Sequence, residues 1–446
     1  MNMNFRREAA DNLRLALPLL AAQLLFISMG VVDTLMAGRL GGAELAAIAV
    51  GSNVWMQLFV FFMGVCMACS PIVAQREGAG EAPRSIGAFV RGCLPLGLVF
   101  GLVWTLTGRV LAWPVISHLG LTPATADLAY RYTLAETWGG PAFALCFVLR
   151  SSAEGLGQTR VVLAAGVVAL ASKIGANILF VHGGAGVPAL GVVGLGWGTV
   201  ASALTMLLSY VAQFSTWRRL RELQVFSGPL RPRPDALELV VLGLPIGLIL
   251  FAEAAFFCCT ALLMARFGDA AVAAHQIAIN VASVSFMAPL SIGFATTVRV
   301  GNAMGAGARA DALARGRAGM LMGLCFALLS AAVMALGARG ITALYTGVPD
   351  VGARAATFLR YAALFQLFDC LQATANGALR GIKDTRVPML VTITAYWLVG
   401  MPCAWLLAFH FQHGPVALWW GFIIGLALAA CGLSLRFLSR AGRTAN

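Results

Sequence analysis

Charge is what this sequence has least of. Only 11% of its 446 residues are Asp, Glu, Lys or Arg, against about 25% in an ordinary soluble domain. A soluble chain of this length needs charge to coat its surface, so an ordinary cytosolic enzyme and a disordered chain are excluded. Lysine is nearly absent: Lys173 and Lys383 stand alone, followed by Ile174 and Asp384. A P-loop requires Gly-Lys followed by Ser or Thr to hold phosphate and metal, so ATP hydrolysis by that route is excluded. There is no His-Glu-x-x-His zinc motif and no Gly-x-Ser-x-Gly nucleophile elbow. The five histidines (His118, His182, His275, His410, His413) lack haem or metal spacing and read as packed or interfacial. Most of the ten cysteines fall in apolar stretches, which excludes a secreted disulfide scaffold. Cys66-x-x-Cys69 lies on a Gly/Met-rich span without a second pair and reads as small-residue packing. Alternation of period two is missing as well, which excludes an outer-membrane barrel. No cleavable signal is evident; Arg6 and Arg7 precede an apolar segment that behaves as a first membrane span.

What is there is apolar: 60% of the residues are hydrophobic. Runs long enough to cross a bilayer, about 20 residues each, recur twelve times, with cores near 13–37, 45–74, 88–108, 128–149, 161–181, 190–214, 239–264, 272–298, 318–337, 355–377, 388–410 and 415–435. The expected fold is an all-α multi-pass membrane protein. The net charge of +13 sits between these runs, where membrane topology explains it better than nucleic acid does. Basic residues number 23 on the side shared by both termini and the even-numbered loops, and 7 on the other. That bias places both termini in the cytoplasm.

The sequence also repeats. Shifted by 227 positions, Gly41, Ala46, Ala47, Asn53 and Val54 fall on Gly268, Ala273, Ala274, Asn280 and Val281, and Gly78-Ala-Gly80 falls on Gly305-Ala-Gly307. Gly155-Leu-Gly-Gln-Thr-Arg160 resembles Gly381-Ile-Lys-Asp-Thr-Arg386 at a shift of 226. Two six-helix bundles of the same orientation follow, as in parallel-repeat transporters. The expected division is an N-lobe over 1–214, a basic, Pro-rich cytoplasmic linker over 215–238, and a C-lobe over 239–446. The linker reads as a tether between bundles that must move.

Asp33, Glu136, Lys173, Glu253 and Asp369 lie inside the spans. A charge at mid-bilayer costs about 2.5–3.5 kcal/mol on insertion scales, so each marks a functional candidate. Asp33, Glu253 and Asp369 suit binding of a proton or Na⁺. Lys173 and Glu136 should sit at similar depth on neighbouring spans, and either a mutual pair or a Lys173–Asp33 pair fits. The acids break the repeat: Asp33 falls on Thr260, Glu253 on Phe26, and Asp369 on Phe143. The acids Glu77, Glu81, Glu154 and Asp311 are scattered among arginines and read as solvated loop charges.

Val32-Asp33-Thr-Leu-Met-Ala-Gly38 resembles the signature of the multidrug and toxic compound extrusion (MATE) family, NorM-type branch. Pro71-Ile-Val-Ala-Gln75, Asn177-Ile-Leu-Phe-Val-His-Gly183, Arg299-Val-Gly301 and Gly377-Ala-Leu-Arg-Gly381 fit further motifs of that family, over nearly the whole chain. The resemblance implies a V-shaped pair of bundles in the bacterial inner membrane, exporting organic cations and drugs against H⁺ or Na⁺ by alternating access, as a monomer without a cofactor. It implies that Asp33 couples ions in the first lobe, that Glu253 and Asp369 form the cation site of the second, with Na⁺ one candidate there, and that Asn177 lines the first cavity. Lys173 and Glu136 depart from the family pattern; an ammonium beside Asp33 would repel Na⁺. Gln276, Asn280, Phe256, Phe286 and Met287 are further cavity candidates, the aromatic and Met side chains offering cation–π and adaptable apolar contacts. Two alternatives remain. A lipid-linked oligosaccharide flippase of the same superfamily would need a cationic cavity, and a membrane-embedded transferase would need a catalytic cluster at the membrane face.

Overall fold

The computed structural model describes residues 5–184, 186–231 and 233–443. Pro232 of the expected linker, the side chain of Arg443 and the last three residues lie outside the described residues. The chain forms α1 (Phe5–Leu40), α2 (Gly42–Met67), α3 (Cys69–Gly78), α4 (Pro83–Ser117), α5 (Pro123–Thr137), α6 (Gly140–Gly155), α7 (Thr159–His182), α8 (Val192–Thr216) and the short α9 (Arg218–Arg221). There follow α10 (Leu237–Met264), α11 (Asp269–Gly305), α12 (Arg309–Leu336), α13 (Ala338–Ala343), α14 (Pro349–Gly381), α15 (Arg386–Ile393), α16 (Met401–Trp405) and α17 (Val416–Arg443), with π-helical turns at Thr394–Gly400 and Leu406–His410. No named strand occurs among the described residues. Pro opens α4, α5 and α14, where its missing N–H costs nothing. The Thr122 hydroxyl caps α5 by accepting from Thr125 N.

Among the described residues ten helical segments are long and apolar enough to cross a membrane, two fewer than the sequence suggests. The difference has physical causes. The run 128–149 is broken at Trp138-Gly139 into α5 and α6, of 15 and 16 residues, each too short alone. Thr105 Oγ donates to the Thr137 carbonyl at this break, 2.7 Å away, and so satisfies a group the helix leaves open. The run 355–377 lies in α14, whose 33 residues reach far enough but include Arg354, Arg360 and Asp369. Outward-facing apolar side chains are abundant, among them Leu208, Leu328, Leu329, Leu336 and Leu398. Such a coat suits lipid and not water.

The repeat extends to backbone and packing. Gly80 and Gly307 occupy the left-handed region at φ +73° and +71°, and Gly157 and Lys383 at +69° and +58°. Each closes a helix with the same pair of reversed hydrogen bonds, as in Gly157 N to Glu154 O and Lys383 N to Arg380 O. Gly155 lies so close to Ser70 and Val73 that a Cβ would meet the Ser70 carbonyl at 2.6 Å; Gly381 lies on the equivalent Thr297 and Val300, where a Cβ would meet the Thr297 carbonyl at 2.9 Å.

Packing divides the chain into two units, residues 21–247 and residues 1–20 with 248–446. These divisions fall inside α1 and α10, just after Pro18 and Pro245, which hold equivalent repeat positions and lack the N–H of a continuous helix. The first turns of α1 are held in their unit by Asn12 Nδ2 donating to Thr296 Oγ at 3.1 Å and by Arg299 paired with Glu8. The segment expected to be a tether is packed instead. Leu220, Leu223 and Val225 are buried, Arg91 donates to the carbonyl of Gln224, and Arg76 pairs with Asp235 at 3.3 Å.

Within unit 21–247 the core is aromatic: Trp55, Phe59, Trp104, Phe143 and Phe147 meet in stacked, tilted and edge-to-face pairs. The other unit centres on Phe256, Phe365, Tyr396, Trp419 and Phe422.

Candidate functional site

Unit 21–247 gathers the ionisable residues singled out within its spans, Asp33, Glu136 and Lys173, into one buried cluster. Asp33 comes from α1, Tyr132 and Glu136 from α5, Lys173 and Asn177 from α7, and Thr199 from α8; all are under a tenth exposed. Lys173 Nζ lies 2.7 Å from Asp33 Oδ2. Asn177 Nδ2 donates to the other oxygen, Oδ1, at 2.7 Å. The ammonium also donates to the Thr199 hydroxyl. That hydroxyl lies 3.3 Å from Glu136 Oε1, which takes a second hydrogen bond from Tyr132 at 2.7 Å. Of the two pairings open to Lys173, the structure has the one with Asp33; Glu136 is reached through Thr199. Depth alone left the choice undecided, because both acids sit near the lysine.

Two polar atoms in this cluster lack a hydrogen-bond partner: Glu136 Oε2 and Asn177 Oδ1. Two carboxyl groups face one ammonium. With all three ionised the cluster carries one net negative charge, and a single proton neutralises it. Gly198 on α8 makes room for the Asn177 amide, since a Cβ there would lie 1.8 Å from Asn177 Oδ1.

In the other unit α10 carries Glu253, partly buried, and α14 carries Asp369, buried. A charge on Glu253 opposes a charge on Asp369. The cation acting on Glu253 is Arg380, eleven positions beyond Asp369 on α14. It is buried, and its Nε has no hydrogen-bond partner. Around them Tyr396 donates to Gln372 Oε1 at 2.7 Å, while Gln366 Oε1 and Asn376 Oδ1 have no partner. Tyr396 stands on a π-helical turn, a distortion frequent at functional sites. Among the described residues no three His, Cys, Asp or Glu side chains converge to hold a metal.

The remaining candidates are dispersed. Phe256 is buried in the core, stacked on Tyr396 at 5.2 Å and edge-on to Phe422. Gln276 and Asn280 are exposed on α11, and Phe286 and Met287 are half-buried there. Glu154, expected as a solvated loop charge, is buried instead: Arg150 Nε donates to it at 2.8 Å, while Arg150 Nη2 donates to Gln23 Oε1 at 2.9 Å. It is the last residue but one of α6, where Arg150, one turn back on the same helix, covers it. Sequence reasoning missed Tyr132, Thr199 and Arg380. Tyr132 could have been found, since it precedes Glu136 by four residues on one helix face. An isolated Thr in a span carries no such signal.

Two segments of the chain, residues 18–179 and 245–406, match the MatE family model. Their starts and ends are each 227 positions apart, the same period as the repeat. The chain is 39% identical to multidrug resistance protein PmpM of Pseudomonas aeruginosa over 449 residues, covering 99% of this chain and 93% of that one. Its fold matches the eukaryotic MATE transporter AtDTX14 (TM-score 0.89, 19% identity, 99% of both chains). It also matches a MOP superfamily transporter from Pyrococcus furiosus (TM-score 0.89, 19% identity, 98% of this chain and 97% of that one).

Proposed function

This chain belongs to the MatE family, and from that premise we propose that it is a multidrug efflux antiporter, expelling amphipathic organic cations in exchange for H⁺ or Na⁺. In this reading the chain crosses the inner membrane twelve times with both termini in the cytoplasm, α5–α6 and α14 completing the ten apolar segments. A cationic drug enters from the cytoplasm or the inner leaflet and is held near carboxylates of the spans. When the protein faces outward, the coupling ion takes those carboxylates, the drug leaves and the carrier resets. Asp33 is the ion-coupling group of the first unit. Glu253 and Asp369 attract cations in the second, where either H⁺ or Na⁺ relieves their repulsion. At 100 mV each charge supplies about 2.3 kcal/mol, which sustains roughly a fifty-fold gradient.

The observation that carries this reading is the placing of carboxylates inside apolar helices in both units, Asp33 and Glu136 in one and Glu253 and Asp369 in the other. A flippase for an anionic lipid-linked sugar would need cations free to meet pyrophosphate. Lys173, the residue that kept that reading open, is already occupied by Asp33. The test uses purified protein in liposomes loaded with ethidium, under a pH gradient or a Na⁺ gradient imposed separately. Dye moves under at least one gradient, and Asp33→Asn and Asp369→Asn each slow it at least tenfold. Dye that stays put under both gradients overturns the antiport.

A further inference from the structure

The first-unit cluster holds one feature that binding alone does not use: an acid with an open side. Glu136 Oε1 accepts from both Tyr132 and Thr199, while Oε2 is buried with no partner. A buried carboxylate oxygen left bare is costly and uncommon. The Thr199 hydroxyl that touches this acid also touches the ammonium of Lys173, which is seated on Asp33. The titratable groups facing Asp33 are Lys173 from α7 and Glu136 and Tyr132 from α5; α2 and α8 add the hydroxyls of Ser52 and Thr199. One ammonium therefore stands between two acids, in contact with one and a hydroxyl away from the other.

We propose that Lys173 is a movable counter-ion: a proton arriving on Asp33 releases the ammonium, which passes over the Thr199 hydroxyl and settles on the open oxygen of Glu136. This rests on the reading of Asp33 as the ion-coupling group and assigns Lys173, Thr199 and Glu136 as its positioning residues. The proton adds to a carboxylate oxygen of Asp33, and the Lys173–Asp33 ion pair breaks. Lys173 keeps all its protons, and a Lys173–Glu136 pair forms. The cluster goes from one net negative charge to none. A rotamer change of a long, unbranched side chain is enough for the transfer. The charge of the ammonium seated on Asp33 opposes a metal cation there, so on this proposal the unit takes a proton and not Na⁺.

The test is the pH dependence of ethidium efflux from proteoliposomes. Glu136→Gln keeps an oxygen for Tyr132 and Thr199 but offers the ammonium no second charge, so Lys173 stays on Asp33 and protonation needs more acid. The pH of half-maximal efflux is expected to fall by about one unit, the scale of a nearby opposite charge. Thr199→Val removes the bridging hydroxyl at similar volume and shifts the midpoint the same way; it carries the test if Glu136→Gln does not fold. Both variants slowed equally at every pH, with the wild-type midpoint, overturn the switch while leaving the antiport intact. Wild-type efflux that ignores a pH gradient overturns the proton coupling on which the switch stands.

Discussion

Built on one repeated helical plan, the two units treat charge in different ways. In unit 21–247 an ammonium is supplied from within: Lys173 holds Asp33 at 2.7 Å, Asn177 holds the other oxygen, and Thr199 and Tyr132 tie in Glu136. In the other unit a charge on Glu253 opposes a charge on Asp369, and Arg380 acts on Glu253 through space. At the repeat spacings of 226 or 227, Glu136 falls on Ala362 or Ala363, Lys173 on Val399 or Gly400, and Asn177 on Cys403 or Ala404. Thr199 falls on Leu426 and Asp33 on Thr260 at 227. The whole first-unit cluster is thus erased in the second copy, which places its own acids where the first copy has apolar residues. A shared backbone fixes where helices cross and turn, and leaves the polar groups within each unit free to diverge. Each unit sets two carboxyl groups against one internal cation; in one the ammonium sits in direct contact with its acid, and in the other the guanidinium acts through space.

The sharpest way to break this comparison is to remove one acid from each unit. Asp33→Asn breaks the Lys173 ion pair; with Glu136 there to receive the freed ammonium the protein should lose stability, but by less than the about 3–5 kcal/mol of a buried pair broken from one side. Asp369→Asn removes a like-charge repulsion, so the thermal midpoint in detergent should hold or rise. Equal losses in both variants would erase the distinction. A smaller effect sharpens it. Gly198→Ala puts a methyl into Asn177 without touching any charge. Overpacking of this kind costs about 1–3 kcal/mol, and Asp33 should lose its Asn177 hydrogen bond, with transport falling more than tenfold. Unchanged melting and transport would mean that the amide has room to move and does not position Asp33.

Much of this was legible in the sequence because charge stands out against apolar runs. Asp33, Glu136, Lys173, Glu253 and Asp369 were visible on that ground, and the repeat was visible from its glycine turns. Partner choice was not legible. Lys173 has acids on two neighbouring helices at similar depth, and only side-chain geometry chooses Asp33 over Glu136. Thr199 was invisible because hydroxyls are ordinary in spans, where they bond back to their own helix, as Thr199 also does to Leu195. The break between α5 and α6 had a signal, Gly139-Gly140-Pro141, which the apolar composition masked. Glu154 was misread because charges near helix ends look solvated until an internal partner such as Arg150 is found. The linker was misread for a related reason: its Arg and Pro residues suggest a free strand, while three apolar residues, Leu220, Leu223 and Val225, pin it down.

The most direct test of the contrast between the units is a pair of double-mutant cycles on thermal stability, Asp33→Asn with Lys173→Met and Glu253→Gln with Asp369→Asn. A cycle isolates the interaction between two side chains from their separate effects. The account predicts opposite signs: Asp33 and Lys173 stabilise each other by at least about 1 kcal/mol, and Glu253 and Asp369 destabilise each other. Coupling of the same sign in both units would contradict it.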